Sequence, residues 1–506
     1  MERESEVVCW LGGESEVAEG YLDDSKGWDP GKARDLIAGL LTQVHKQRVL
    51  VELAKMTGSE FDLSKLLSII VSKSTEVVEA DRSTLFLVDR KRKILWTEIA
   101  EGLENSNTPK FEIPLTKGIA GHVATAGVQV IINDAYDDER FDRATDMRTG
   151  YRTNNILATP MISSTGEILG VLQVINKLKG SFTKEDADFL LAFASSAAVH
   201  LETAHLYREI ETMFDSFINM VAHAVDERDP CTAGHSRRVK IYSRTIGEEI
   251  NRCKSGIFAN NHFTEDSLRQ LEIAALLHDV GKIGVHEAVL NKSARLSEKE
   301  LQIVVQRIDL ELSKRKVQKI QSGTDLDPQE VTEVNNAIEF IKKVSKSGFL
   351  SEEDGKRLWV IKERGWLDDC EYEHLAVTRG NLTSEEWDHM QSHVTKSFQL
   401  LSRIPWPPKL RNVPEIAYCH HEKLNGKGYP RGLSADQIPL ESQIVTVADI
   451  YDALTAHDRP YKPPMSHERA SSILIDQAAG GLINQELVDL FLNSELYRVT
   501  NSKMSD

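Results

Sequence analysis

The sequence predicts a multidomain protein with an α/β domain in its N-terminal part, a long connecting helix, and an all-α domain in its C-terminal half. Short β-rich segments, bounded by Gly, Asn or charged clusters, occur between about residues 83 and 176. Apolar residues then recur at helical spacing, without a breaker, over 186–229. From there to about residue 500 the pattern is almost entirely helical, which indicates that the second domain contains few strands or none.

Length, charge and cysteine usage bound the class of protein. The 506 residues suffice for two or three domains with cores of their own. The net charge of −17 argues against a broad nucleic-acid or anionic-membrane surface, so we expect neither as a partner. The five cysteines form no CxxC pair, which is typical of a reducing compartment and disfavours a Cys-based zinc site. Without a secretory signal or an apolar run of 18 residues, we expect a cytoplasmic, bacterial-type protein.

The domains follow in order along the chain. Residues 1–40 are polar and acidic and are expected to be poorly ordered. A sensor-type α/β domain is expected at 41–203, and a connector helix at 204–228. The all-α catalytic domain is expected at 211–500, with a helical insertion at about 296–379. The expected strands of the first domain are 83–89, 94–100, 128–134, 156–163 and 168–176.

Histidines and carboxylates of the C-terminal half stand inside otherwise apolar helical segments. His278 and Asp279 end the helical pattern of LEIAALLHDVGKIG, His420 and His421 open HHEKLNGKGYP, and Asp449 interrupts IVTVADIYDALTA. A buried charge costs several kcal/mol unless it is paired or bound to metal, so one shared metal centre is the most economical explanation. Imidazole and carboxylate without thiolate favour iron, manganese or another first-row metal. Neighbouring ligands on a helix point about 100° apart, so they would serve different ions of a cluster.

Six separated motifs in this half closely resemble, in order, those of the HD-GYP family. They are ERDPCTAGHSRRV, HDVGK, the downstream His393, HHE, the GYP of GKGYP, and ADIYDALTA with DRPYK, and they cover about 210–495. Members of this family are metal-dependent phosphodiesterases that act on cyclic di-GMP. The resemblance therefore implies hydrolysis of cyclic di-GMP to linear pGpG and then GMP.

The resemblance also implies roles for individual residues. The implied metal ligands are Glu227, His278, Asp279, His393, His420, His421 and Asp449. A glutamate at the position of Glu227 accompanies a third metal in the family, so we expect two or three first-row ions, iron first and manganese second. Asp279 and Lys282 are the implied catalytic residues. The implied substrate-binding residues are Lys282, Arg459, Lys462 and Tyr429.

Two departures from the family pattern stand out. Asn425 replaces the usual aspartate of the DGxGYP stretch, and an amide there is expected to keep the hydrogen bonding of the loop. The spacing from Asp279 to His393 is far longer than the few tens of residues that the pattern needs. We interpret the excess as an inserted helical hairpin that serves as a lid, as a dimer surface, or as a passive insertion.

A second resemblance covers about residues 45–203. GIAGHVATAG, the segment 132–161 and an NKFD pattern at Asn176, Lys177, Phe182 and Asp186 are similar to GAF domains. The similarity is closest to the cyclic-nucleotide-binding GAF domains of phosphodiesterases and adenylyl cyclases, in which this pattern supports the fold. The resemblance implies that cAMP or cGMP binds to Thr84, Ile119, Ala120, Asp146, Thr149 and Thr153. Gln173 replaces a glutamate of the family, and a GAF domain used only for dimerisation is the alternative.

The leading hypothesis is a homodimeric cyclic di-GMP phosphodiesterase regulated through its N-terminal domain. A ligand there would shift the register of the helix at 186–228 and change the geometry of the catalytic domain. Dimerisation would use the connector helices. One alternative is a catalytically silent receptor that binds cyclic di-GMP or a partner protein. Another is a hydrolase of a different cyclic dinucleotide, such as cyclic GMP-AMP.

Overall fold

The computed structural model describes residues 30–55, 63–97, 111–229, 234–325, 327–456 and 464–499. By contacts the chain divides after Met213 into two compact units. Of the segment expected to be poorly ordered, residues 1–29 lie outside the described part, whereas the remainder belongs to helix α1, Pro30–Lys55.

The first unit is built on a six-stranded antiparallel sheet. Its further elements are α2 (Leu63–Val77), β1 (Ala80–Asp89), β2 (Ile94–Thr97), β3 (Phe111–Pro114), α3 (Gly118–Ala126), β4 (Val130–Ile132), α4 (Arg143–Thr149), β5 (Ile156–Ile162) and β6 (Ile168–Lys177). The strand order is β3-β2-β1-β6-β5-β4. All five predicted strands are present; residues 98–100 of the predicted strand 94–100 lie outside the described residues, and the other four strands differ from the prediction at one or both ends. Strand β3 is additional. Its four residues, FEIP, are too short for a recognisable alternation.

Helices cover both faces of this sheet. Leu85 and Leu87 of β1 point to one face, where they pack with α2 and with the helix that follows β6. Phe86, between them, points to the other face and packs with Ile119 and Val123 of α3. Because side chains alternate along a strand, one strand supplies two separate apolar layers. The α/β prediction for this unit is confirmed.

A buried ion pair fastens β6 to the next helix. Lys177 Nζ lies 2.7 Å from Asp186 Oδ2; the Asp186 side chain is buried, and that of Lys177 is 13% exposed. The same carboxylate oxygen accepts hydrogen bonds from the backbone N–H and the hydroxyl of Thr183, each at 3.0 Å. Burial opposes ionisation of Asp186, but Lys177 and Thr183 outweigh it and lower the pKa of this carboxyl. The NKFD pattern therefore has the fold-supporting role that its resemblance implied.

Replacing Asp186 by Asn is expected to destabilise the first unit by about 3 kcal/mol, because it leaves the largely buried Lys177 without its counter-charge. Hydrogen–deuterium exchange of peptides from this unit, in the full chain at pH 7, measures the loss. Asp188→Asn, an exposed change one half-turn along, is the control.

The effect has a defined pH dependence. The folded-state pKa of Asp186 is depressed, so its stabilisation is present above the ordinary carboxyl pKa and is lost as pH falls towards the folded-state value. The difference between wild type and Asp186→Asn should therefore shrink on acidification. Equal exchange in both proteins at pH 7 would contradict a stabilising role for the pair.

Helix α5 continues from this pair without a break. It spans Lys184–Arg228, 45 residues, and so contains the predicted connector. Among the described residues it is the one helix that passes a test of length and composition for crossing a membrane; its 18-residue window has a mean hydropathy of 1.2 and is 39% buried. That is weak evidence for a span, because core helices pass the same test.

The second unit is built of helices, with two isolated β-bridges, Phe349 with Arg379 and Asn425 with Ser434, among its described residues. After α5 its longer elements are α6 (His235–Ile250), α7 (Glu265–Leu277), a 3-10 turn (Val280–Gly284), α8 (Glu287–Leu290), α9 (Glu298–Gln321), α10 (Pro328–Lys346), α11 (Glu352–Glu363), α12 (Asp369–Leu375), α13 (Ser384–Leu401), α14 (Val413–Tyr418), α15 (Leu440–Thr455), α16 (His467–Ala479) and α17 (Gln485–Asn493). Its main core joins α6, α7, α14 and α15 to the last turns of α5.

The insertion stays within the predicted range of about 296–379 but contains four helices instead of the two of the predicted hairpin. Helices α9 to α12 enclose a separate core that includes Ile308, Ile341, Leu358 and Leu375. The prediction of a hairpin did not include α11 and α12, because both helices are short and carry many charges. The insertion is therefore a small four-helix body, which corrects the expectation of a hairpin.

Candidate metal centre

Five helices of the second unit bring seven side chains to one place. They are His235, His278, Asp279, His393, His420, His421 and Asp449. Their ligand atoms form three overlapping groups, each with all atoms within 4.8 Å: His393 with His420 and His421; His235 with His278 and Asp279; and His278 with His420 and Asp449. Six of the seven were predicted from sequence, and His235 was not.

Backbone hydrogen bonds orient three of the imidazoles. Nδ1 of His278, His393 and His420 lies 2.8, 2.7 and 2.6 Å from the backbone carbonyl oxygen three residues earlier. A carbonyl can only accept, so Nδ1 carries the proton and Nε2 keeps its lone pair. An imidazole held in this way is set to bind a metal through Nε2.

The atoms that face one another in this cluster have no hydrogen-bond partner. Nε2 of His278, His393 and His420 and Oδ1 of Asp279 are all buried and unsatisfied within the described part of the chain. Nε2 of His393 nevertheless approaches Asp279 Oδ1 to 3.2 Å, and Nε2 of His278 approaches Asp279 Oδ2 to 3.3 Å. Unsatisfied buried polar atoms are costly, and four of them converging on one point fit a bound cation. The nitrogen and oxygen donors suit a first-row metal.

His235 is the candidate ligand that sequence reasoning missed. It is buried at the start of α6, where Nε2 lies 3.2 Å from Asp449 Oδ1 and Nδ1 lies 2.8 Å from Asp452 Oδ2. Arg238 Nε in turn donates to Asp452 Oδ1 at 2.7 Å. A carboxylate behind the histidine is the usual second partner of a metal-binding imidazole. The available signal was the three-residue spacing of Asp449 and Asp452, which places both on one face of α15.

Glu227 is not brought to the cluster. Its side chain is 73% exposed, and its contact is with His223, at 3.8 Å between Oε1 and Nε2. The buried acids near this end of α5 are Asp226, which accepts a hydrogen bond from Ser236 at 2.7 Å, and Asp229. Successive residues of a helix point about 100° apart. Because Asp226 points inward, the side chain of the next residue, Glu227, points away from the centre. The implied role of Glu227 as a metal ligand conflicts with this geometry.

Lys282 lies against the cluster between two carboxylates. Its Nζ is 2.8 Å from Asp279 Oδ2 and 3.0 Å from Asp229 Oδ2. Burial opposes the charged form, but these two acids outweigh it and raise the pKa of Lys282. The ammonium therefore stays charged, and it retains one N–H beyond those that face the carboxylates.

The loop after His421 is held closely against the cluster. The carboxylate of Glu422 accepts the backbone N–H groups of Arg431 and Leu433 at 2.7 and 2.9 Å. The ring centroid of Tyr429 lies 4.8 Å from that of His421. Asn425 Oδ1 accepts the N–H of Lys427 at 3.1 Å, so the amide does keep a loop hydrogen bond.

Charge in the centre is set by burial and by the carboxylates. Burial lowers the pKa of His420 to about 3 and lowers that of His421 well below its usual range, so both imidazoles are neutral near pH 7. Burial would also lower the pKa of His235, but Asp449 and Asp452 outweigh it and raise the pKa to about 10. Burial alone would raise the pKa of Asp449, yet the histidines around it hold that pKa far below the ordinary value. A metal at this site must displace the proton of His235.

Other predicted site residues are placed as follows. Arg459 and Lys462 lie outside the described residues, as does the side chain of Thr149. Thr84 of β1 points to the sheet face on which Ile119 and Ala120 are buried.

Asp146 and Thr153 are buried together in the first unit. The Asp146 carboxylate accepts Thr153 N at 2.7 Å, Thr153 Oγ1 at 2.8 Å and Tyr136 Oη at 3.0 Å. These bonds give Asp146 a role in holding the segment that follows α4.

Comparisons with known proteins agree with the division of the chain into an N-terminal and a C-terminal unit. A model of the GAF domain matches residues 62–201, and two models of the HD domain match 232–353 and 371–487. The chain carries a GAF domain followed by an HD domain. The GAF domain of an Acinetobacter phosphoenolpyruvate-protein phosphotransferase is a similar solved structure, with 21% identity, a TM-score of 0.29, and coverage of 33% of this chain and 98% of that one.

Similar curated proteins are named as cyclic nucleotide phosphodiesterases. A probable 3′,5′-cyclic phosphodiesterase, pde-5, of Caenorhabditis elegans is 29% identical over 214 residues, which are 40% of this chain and 29% of that protein. The dual 3′,5′-cyclic-AMP and -GMP phosphodiesterase 11 of Drosophila melanogaster is 33% identical over 183 residues, or 33% of this chain and 13% of that protein. The chain thus spans less than a third of the length of these relatives.

His235→Ala is expected to lower the metal content of the protein at least tenfold under limiting metal, because it removes a buried ligand and leaves Asp449 and Asp452 facing each other. Glu227→Ala is the control, since that side chain is exposed. Metal analysis after purification and dialysis measures both. Loss of metal from Glu227→Ala with retention by His235→Ala would contradict the assignment of His235, rather than Glu227, to the metal centre.

Proposed function

We propose that this chain is a metal-dependent phosphodiesterase that cleaves a cyclic nucleotide, and that its substrate is cyclic di-GMP. The observation that carries the proposal is the convergence of four buried, unsatisfied ligand atoms inside an HD domain. The names of the curated relatives support the phosphodiesterase class. The HHEKLNGKGYP loop lying at the cluster, together with the ordered HD-GYP motifs, supports cyclic di-GMP among cyclic nucleotides.

The donor set fits at least two first-row metal ions. Asp279 is central, because Oδ1 lies 3.2 Å from His393 and 3.9 Å from His420, whereas Oδ2 lies 3.3 Å from His278 and 2.8 Å from Lys282. Oδ1 therefore faces two imidazoles, whereas Oδ2 faces a third imidazole and the Lys282 ammonium. Asp279 would therefore be able to supply one oxygen to each of two ions. Without Glu227 a third ion would depend on Asp449 with His278 and His420, and iron is the first expectation for the metal.

Bound ions would supply an activated water and would neutralise charge on the phosphoryl group. The protein's own contribution begins with Lys282, whose spare N–H would bind a non-bridging phosphoryl oxygen beside Asp279. Asp229 holds that ammonium in place from the other side. Tyr429 and the Glu422-anchored loop would position the nucleotide at the partly exposed His421.

The deciding experiment is anaerobic purification with metal analysis, followed by turnover of cyclic di-GMP, cyclic GMP-AMP, cAMP and cGMP by the same sample. We expect at least two first-row metal ions per chain and pGpG formed faster than any other product. His421→Ala should lower both metal content and turnover, by at least a hundredfold for turnover. His262→Ala, an exposed histidine of the same unit, should leave both unchanged.

Each other outcome selects a different function. A metal-loaded protein that binds cyclic di-GMP without cleaving it would establish a receptor. Faster cleavage of cyclic GMP-AMP would keep the mechanism and change the substrate, and faster cleavage of cAMP or cGMP would place the chain with its curated relatives. A protein that binds no metal and cleaves nothing after reconstitution would refute the metal centre.

We further propose that the GAF domain binds cAMP or cGMP on the sheet face lined by Thr84, Ile119 and Ala120. A threonine hydroxyl beside an apolar floor suits the ribose or the cyclic phosphate of such a ligand. Support comes from the resemblance to cyclic-nucleotide-binding GAF domains.

Calorimetric titration of the full chain with each nucleotide tests this, with Thr84→Val expected to weaken binding about tenfold through loss of one hydrogen bond. Thr125→Val, an exposed change on α3, is the control. Binding of neither nucleotide, or equal binding by wild type and Thr84→Val, would contradict the proposed pocket.

A further inference from the structure

The turn that carries Lys282 ends in three backbone carbonyl groups that accept hydrogen bonds from side chains. The 3-10 turn Val280–Gly284 follows α7, and the N–H of Val285 donates to the Lys282 carbonyl at 3.0 Å. The carbonyls of Ile283, Gly284 and Val285 lie beyond that bond, where the last carbonyls of a helical segment have no partner within it. Each of the three accepts a hydrogen bond from a cationic side chain of another helix.

Arg228, the last residue of α5, holds two of these carbonyls. Its Nη2 donates to Val285 O at 3.0 Å, and its Nη1 donates to the carbonyl of Ile283. The next residue, Asp229, accepts a hydrogen bond from Lys282 Nζ at 3.0 Å. Because the guanidinium is a rigid planar fork, it fixes the two carbonyls relative to each other. The end of α5 therefore contacts the backbone of the turn through one residue and the ammonium of the turn through the next.

Helix α13 supplies the other contacts to this segment. Lys396 Nζ donates to Gly284 O at 2.7 Å, and His389 Nε2 accepts the backbone N–H of His286 at 3.0 Å. These two side chains lie on the face of α13 that carries His393, because they are four residues before it and three residues after it. A Cβ on Gly284 would come within 2.8 Å of Lys396 Cδ, so the glycine leaves room for the lysine stem. The helix that carries a candidate metal ligand therefore also holds the turn.

Apolar packing alone gives this turn little restraint. Val285 is buried, but Ile283 is 53% exposed, so its side chain anchors the segment poorly. Gly281 and Gly284 lie on either side of Lys282 and Ile283, and glycine has the greatest backbone freedom of any residue. The polar contacts from α5 and α13 therefore limit how far Lys282 can move.

We infer that the turn is held by a brace, and that the members of this brace are positioning residues for catalysis. The brace consists of Arg228, Lys396 and His389. It acts through Lys282 and Asp279, whose charged groups lie 2.8 Å apart at the candidate metal centre. A displacement of about 1 Å at such groups can cost about a hundredfold in rate. The role in catalysis rests on the proposed phosphodiesterase, whereas the brace itself does not.

Hydrogen–deuterium exchange of the full chain tests the brace without substrate. In Arg228→Met, the peptide 280–287 should exchange about tenfold faster than in the wild type, because two carbonyls lose their donor and the turn opens more often. Exchange in α7 should stay unchanged. Arg403→Met removes an exposed arginine of the same unit and is the control. Unchanged exchange of 280–287 in Arg228→Met, or an equal increase in α7, would overturn the brace.

Steady-state kinetics and metal analysis of the same samples test the positioning role. Arg228→Met should lower kcat for cyclic di-GMP about tenfold or more, with KM within about twofold of wild type, because the contact of Lys282 with the phosphoryl group matters most in the transition state. Metal content should stay unchanged, since the ligand side chains are intact. Arg228→Lys should recover part of kcat, because an ammonium can still donate to one of the two carbonyls.

A second substitution and the remaining outcomes complete the test. Lys396→Met should lower kcat in the same way, and Lys254→Met, which removes an exposed lysine, should not. Loss of metal in parallel with kcat, or a kcat of Arg228→Met equal to that of wild type, would overturn the positioning role. If the wild type cleaves no cyclic nucleotide, the proposed function fails and the catalytic role fails with it, whereas hydrogen exchange still decides whether the brace exists.

Discussion

The C-terminal half of this protein is organised around a group of ligand atoms that the protein itself does not satisfy. Three imidazole nitrogens and one carboxylate oxygen are withdrawn from water and left without hydrogen bonds, facing one another. Desolvation makes such an arrangement unfavourable unless something with positive charge occupies the space. Backbone carbonyls accept hydrogen bonds from Nδ1 of the three histidines and so fix their tautomers. The Nε2 lone pairs are therefore directed into the centre without a bound ion.

Close backbone contacts around the centre follow from the same constraint. Gly281 lies so near α13 that a Cβ would come within 2.0 Å of the His393 carbonyl oxygen, and its N–H donates to Ser397 Oγ at 2.8 Å. A Cβ on Gly428 would come within 2.2 Å of Lys423 N. In both places a glycine lets a segment carrying a ligand pack directly on another backbone. The glycines of HDVGK and GKGYP therefore set the distances between ligands that are far apart in sequence.

Some side chains of the centre could be predicted from the sequence, whereas others could not. His278, His420 and Asp449 are recognisable because each interrupts an apolar helical pattern, and burial of such a group needs a reason. His235 gives no such signal, since it begins a helix among polar residues, where a histidine is unremarkable. Glu227 was assigned from motif alignment, and only the helical phase of α5 shows that its neighbours Asp226 and Asp229 turn inward instead. Strand β3 was missed because four residues carry too little periodicity.

Helix α5 has to satisfy two requirements on opposite faces over its last turns. One face contributes Ile218, Ala222 and Val225 to the helical core and ends at the acid that holds Lys282. The other presents Phe217 and Met220 to solvent in the described chain. Packing on the core alone does not account for Phe217 and Met220. A helix that packs only on a core carries polar residues on its solvent-exposed face. A change in how the exposed face is covered would alter the forces on the same rigid segment that positions Asp229. The ammonium of Lys282 contacts both Asp229, at the end of α5, and Asp279 of the metal centre. The packing of α5 and the charge of the centre are therefore linked through Lys282.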